Sequence, residues 1–197
     1  TAKAGPEKIK ERYFEKLREF PPETHPEEFQ QIRKAYETLK NPDERRKYDI
    51  LRKFGPKIEK EMNNVMIQVM TGNDKAAHKT LSKIIEMDPD NAQGYIIKAE
   101  LYLEQNNLAD FEIYFQKAIE KVKTEECADL AFLKIVLLAE HGYMEVAQKE
   151  IVYSKEQYPA LTMQFDQVAI RVYKGLQDYE NLWQVTSKLV PPIKESE

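Results

Sequence analysis

The 197-residue chain reads as an all-α protein. Three observations predict this. Glycine occurs only six times, while Ala, Leu, Glu, Lys and Gln, which lose little side-chain freedom in a helix, are plentiful. Apolar residues recur at steps of three and four along most of the chain. Turn residues at Gly72, Asn106, Gly142 and Gln177 punctuate the rest at steps of 34, 36 and 35 residues. With 42% hydrophobic and 32% charged residues, the composition fits neither a disordered chain nor a membrane-embedded one.

The first stripe is Ile9, Tyr13, Leu17 and Phe20, with Glu and Lys/Arg on the other faces. Pro6 stands where a proline does least harm to a helix, and Pro21-Pro22 ends it because neither can donate a backbone hydrogen bond. A loop through His25-Pro26 leads to a second helix from about Glu27, with Phe29, Ile32, Ala35, Tyr36 and Leu39 on one face. Asn41-Pro42-Asp43 then stops one helix and caps the next. A basic helix begins with Arg45-Arg46-Lys47. Gly55-Pro56 reads as a break, interrupting what could otherwise be a nearly continuous helix from Lys47 to Met66.

The run Phe29-x-x-Ile32-x-x-Ala35-Tyr36-Glu37-x-Leu39-x-Asn41-Pro42-x-x-Arg45-x-x-Tyr48-Asp49 resembles the third and fourth helices of J domains, the DnaJ-like co-chaperones. The helix from Ile9 to Phe20 resembles the family's second helix. The likeness spans about residues 6–50. The family's first helix is not visible, and residues 1–5 look like the end of the loop that would follow it. Because the chain begins at Thr1 rather than Met, truncation or processing is expected.

J domains carry His-Pro-Asp at the tip between their second and third helices, and use it to stimulate ATP hydrolysis by a DnaK-type chaperone. The aligned residues here are Pro21, Pro22 and Glu23, a degenerate tripeptide. His25-Pro26-Glu27 is a competing alignment. It leaves only Glu28 before Phe29 and requires a helix through two prolines, at a cost of roughly 3 kcal/mol or more for each. The resemblance also implies a basic docking face on the second helix. Lys8, Arg12 and Lys16, with Lys10 and Arg18, are the candidates, interleaved with glutamates that also pair within a solvated helix.

Beyond residue 55 the punctuation marks paired helices, and a period near 34 residues resembles that of tetratricopeptide repeats. Gly72, Ala77 and Pro89 recur in register as Gly142, Ala147 and Pro159. Tyr95, Ala99 and Tyr102 take the large–small–large places of a first helix, with Phe115 and Ala118 in its partner. The expected organisation is therefore a J-like segment over residues 1–54 and a TPR-like solenoid of three to four helix pairs over 55–197. Residues 58–71 form a weak first helix, and the unit around Tyr173 and Trp183 is degenerate. The resemblance implies a groove lined by the first helix of each pair. Ile96, Glu100, Phe132 and Val136 should face it, some of them as core.

Residues 1–57 carry 15 basic and 11 acidic side chains, a net +4, and the remainder carries −8. The two ends therefore suit different partners, or attract one another. The short Arg45-Arg46-Lys47 cluster in an acidic chain argues against nucleic acid. No apolar stretch suits a bilayer and no signal peptide is visible, so no membrane partner and a cytoplasmic location are expected. Cys127, the single cysteine, rules out an internal disulfide and reads as a buried structural thiol. His25, His78 and His141 lack metal-ligand spacing.

With no nucleophile context, phosphate loop or metal cluster, the chain is expected to be neither an enzyme nor a cofactor carrier. The leading reading is a protein-binding J-like co-chaperone or adaptor without His-Pro-Asp-dependent ATPase stimulation. A DnaK-type chaperone is one implied partner and a client protein or peptide the other. The alternative is a repeat scaffold that the J-like hairpin merely caps.

Overall fold

Prolines set the first three helix starts. In the computed structural model, which describes residues 4–189, Pro6, Pro26 and Pro42 are the first residues of α1 (Pro6–Glu19), α2 (Pro26–Lys40) and α3 (Pro42–Met70). At that position the missing N–H is one the helix does not use. Asn41 caps α3, its side-chain oxygen accepting from the Asp43 and Glu44 N–H groups at 3.0 and 3.3 Å. Seven further helices follow: α4 (Asp74–Met87), α5 (Ala92–Glu104), α6 (Leu108–Ile119), α7 (Cys127–Glu140), α8 (Met144–Gln157), α9 (Thr162–Gly175) and α10 (Tyr179–Leu189). Short 3-10 turns precede α7 and α9, and among the described residues there is no strand. The fold is all-α. The outer ends of the two expected segments, residues 1–3 and 190–197, lie outside the described residues.

The expected break at Gly55-Pro56 does not form. Helix α3 runs 29 residues with Pro56 inside it. Proline removes one backbone hydrogen bond and disfavours helix in its predecessor, but that predecessor is glycine, which lacks the Cβ that meets the proline ring. Packing supplies the compensation. Val65 is fully buried with Ala77, Leu81 and Ile84 of α4 and Leu101 of α5, and Ile58, Met62 and Val69 pack against this cluster. Each fully buried aliphatic side chain contributes about 1.5–3 kcal/mol. The expected junction between the two segments thus falls inside α3.

From α3 onward the helices pair as α3–α4, α5–α6, α7–α8 and α9–α10, and helix–helix packing is mainly between successive helices. One turn recurs within every pair. Gly72, Asn106, Gly142 and Gln177 all adopt left-handed backbone, with φ of 68, 58, 83 and 56°. In each, the next residue's N–H donates to the carbonyl five places earlier: Asn73 to Gln68, Asn107 to Tyr102, Tyr143 to Leu138 and Asp178 to Tyr173, at 2.7–2.9 Å. This double-bonded helix ending satisfies carbonyls that would otherwise be orphaned. Asn73, Asn107 and Asp178 then cap the partner helix through side-chain oxygens. Five residues beyond the first three turns stand Ala77, Phe111 and Ala147, all fully buried where the pair closes.

A second core runs from α5 to α10 through Phe111, Phe115, Ile135, Leu138, Ile151 and Phe165. Across it, the Lys134 ammonium on α7 lies 2.7 Å from both Glu112 of α6 and Glu150 of α8. Its side chain is only 12% exposed. Burial lowers its pKa, but the hydrogen bonds to the two carboxylates outweigh that and leave it raised. Lys155 of α8 pairs with the buried Asp166 of α9.

Cys127 departs from expectation. It opens α7, is only partly buried, and its thiol lies 3.5 Å from the Lys123 carbonyl. The helix starts at this residue, so its apolar stripe faces the core only from Leu130 onward.

Candidate functional site

The N-terminal hairpin is held by ring stacking rather than by a buried core. Tyr13 of α1 and Tyr36 of α2 lie 4.0 Å apart at 11°, and no residue of α1 or α2 is buried. Arg45 of α3 donates to the Ala4 carbonyl at 2.7 Å. A cleft of about 590 Å³ remains between the three helices, lined by Ile9, Tyr13, Ile32, Tyr36 and Arg45 among others.

At the tip, α1 ends at Glu19 and its cap is Phe20. Pro21, Pro22 and Glu23 follow directly and occupy the turn, with Thr24 and His25 donating their N–H groups to the Pro21 carbonyl at 3.2 and 2.9 Å. His25 is the cap residue of α2 and Pro26 its first helical residue. The His25 imidazole lies edge-on to Phe20, centroids 5.4 Å apart, and its Nδ1 is 2.8 Å from the Thr24 hydroxyl. Lys16 reaches over the other ring partner, its ammonium 5.1 Å from the Phe20 centroid.

Of the basic residues on α1, Lys8 and Arg12 are exposed and Lys16 is half-exposed. Arg12 pairs with Glu15 and Lys16 with Glu19, each at 2.5 Å and three residues apart. The Glu15 hydrogen bond and charge raise the Arg12 pKa from its ordinary value. Arg12 and Lys16 are therefore already partnered along the helix, a weak association in water of about 0.2–0.5 kcal/mol per pair.

In the repeating part, the left-handed turns supply a common register. Residues ten, six and two places before each turn are four apart and share one face of the first helix. Ile96 and Glu100 take the first two of these places on α5, and Phe132 and Val136 take the same two on α7. Ile96 is half-buried against the core, Val136 is half-buried, and Phe132 is 36% exposed with its ring 6.4 Å from Phe165. The Glu100 carboxyl has a raised pKa, chiefly because it is half-buried and then because Glu104 and Glu140 lie nearby, with His141 opposing. Glu140 in turn is 3.6 Å from Arg171 of α9. Side chains from α5, α7 and α9 thus meet on one face.

Sequence reasoning did not find Arg46, Asp90 and Lys121. Arg46 of α3 reaches the Asp90 carboxylate between α4 and α5 at 2.5 Å, and Lys121 approaches its other oxygen at 3.4 Å. This contact fastens the basic front to the acidic back across 44 residues of sequence. No local spacing signals so distant a pair; only the opposite net charges of the two segments hint at it.

Residues 1–49 match the DnaJ domain family, so this N-terminal portion is a J domain. No curated protein and no solved structure matches the chain. No helix among the described residues is long and apolar enough to cross a membrane.

Proposed function

We propose that the protein is a J-domain adaptor that docks a DnaK-type chaperone through α1 without stimulating its ATPase, and holds a client or partner protein on TPR-like repeats. The J-like module covers residues 1–54 and the repeats 55–197. One observation carries this reading: the turn that directly follows α1 reads Pro21-Pro22-Glu23. The family's tip has a histidine and an aspartate there. Proline offers neither an imidazole nor a side-chain hydrogen bond, and glutamate places its carboxylate one methylene further out. The nearby His25 stands at the start of α2, with its imidazole edge-on to Phe20 and beside the Thr24 hydroxyl.

The second support is mechanical. Because α3 begins in the J domain and ends in the first helix pair, and Arg46 clips it to Asp90, no loop separates the last helix of the J domain from the repeats.

Docking is tested by titrating the protein against an immobilised DnaK-type ATPase domain. Binding that weakens at least threefold in Arg12→Ala and Lys16→Ala, and falls with added salt, is expected. Binding indifferent to both variants removes α1 as the docking face. Absence of binding leaves the J domain as a cap on a repeat scaffold.

A further inference from the structure

The first-helix face identified by the turn register is not chemically uniform. Six places before each left-handed turn stand Met66, Glu100, Val136 and Arg171. Two places before stand Met70, Glu104 and Glu140 in the first three pairs. None of these seven side chains is fully buried. At the α3 end the stripe is apolar: Met66 is 53% and Met70 84% exposed. Large apolar side chains left in water at adjacent turns mark a contact surface, and methionine adapts its shape to an irregular partner.

In the middle the stripe is acidic: Glu100 and Glu104 lie one turn apart on α5, and Glu140 stands at the same register on α7 as Glu104 does on α5. Arg171 is the one cation among these register positions, and Glu140 already pairs with it. Phe132 and Val136 supply apolar surface beside the carboxylates. Three carboxylates against one paired guanidinium leave a net negative potential on this face, and an incoming cation gains most beside the half-buried Glu100.

We infer that this stripe binds a basic, apolar segment of a partner protein, with Lys or Arg side chains seated on Glu100, Glu104 and Glu140 and apolar side chains on Met66, Met70 and Phe132. This rests on the reading of the repeats as a holding surface and adds the chemistry of what is held. Charge complementarity selects the occupant: an acidic segment meets like charge, and a purely polar basic one leaves the methionines wet. The repeats therefore select segments such as basic amphipathic helices or basic-apolar extended runs.

The test uses the full chain and three fluorescent 15-residue peptides: one of alternating Leu and Lys, one with Glu for every Lys, and one with Ser for every Leu. The Leu/Lys peptide is expected to bind at least tenfold more tightly than either control. Glu100→Gln with Glu140→Gln should weaken it at least tenfold, and Met66→Ser with Met70→Ser at least threefold. Tyr153→Glu, an exposed position on α8 outside the stripe, should leave it unchanged. Circular dichroism melts confirm that each variant is folded, and Glu100→Gln alone serves if the double variant is not. Equal or tighter binding of the Leu/Glu peptide, weakened by the same methionine variants, overturns the basic assignment while leaving a holding surface. Leu/Lys binding insensitive to both stripe variants overturns the site. No binding by any peptide overturns the holding reading as well. Sedimentation showing the stripe occupied by a second copy of the chain, with dimerisation lost in the glutamine variant, replaces the partner with self-association.

Discussion

Four residues with left-handed backbone do the same work with different side chains, and their substitution separates conformation from packing. Gly142 has φ 83° with nothing within 4 Å of where a Cβ would sit, so Gly142→Ala tests backbone strain alone. It should lower stability by about 1 kcal/mol. Gln177 adopts φ 56° with a full side chain, so Gln177→Gly should raise stability by about 0.5–1 kcal/mol. Urea melts of both variants check this. Removing the Lys134 charge leaves Glu112 and Glu150 facing each other, and Lys134→Met should cost about 2 kcal/mol at neutral pH. Because the Lys134 pKa is raised in the fold, that contribution is present through neutral pH and is lost only as pH rises past the lysine's own titration. Glu100 has the same sign in a lower pH window, and there it is the charged form that the fold disfavours. Its raised pKa means the charged form is disfavoured in the fold, so stability falls as pH rises through its titration. Glu100→Gln should match the natural protein in Tm below the carboxylate range and melt higher at pH 7.

At the scale of the element, the helices and their ends were legible because each signal was local. Proline starts at Pro6, Pro26 and Pro42, the asparagine caps and the four turn residues all act within one helical turn of themselves. Helix α3 was misread for the same reason. Gly55-Pro56 argues for a break when only its neighbours are counted, whereas Val65 and its partners on α4 and α5 hold the C-terminal half in line. Pro56→Ala therefore restores a backbone bond in a helix that already exists, and should raise stability by about 1–2 kcal/mol after allowing for the freer unfolded chain. A fall in stability on thermal or urea melting would mean that the proline shapes the junction rather than merely tolerating it. Cys127 shows the same limit: apolar neighbours at helical spacing suggest burial, but its place in the first turn leaves the residue only partly buried.

At the scale of the molecule, the tip of the J domain and the first-helix stripe belong to one linked body, joined by α3 and the Arg46–Asp90 contact. The sequence carried the tripeptide and the register, since both are matters of spacing. The clip and the meeting of Glu100, Glu140 and Arg171 needed the fold, because those residues come from separate helices. Docking without activation is decided by single-turnover ATP hydrolysis by a DnaK-type chaperone, with the protein added at concentrations where it is seen to bind. The hydrolysis rate should remain within about twofold of the chaperone alone, a change too small to represent the removal of even 1 kcal/mol of barrier. A tenfold or greater acceleration would contradict the account, and would show that Pro21-Pro22-Glu23, or His25 beside it, performs the task of the family's His-Pro-Asp.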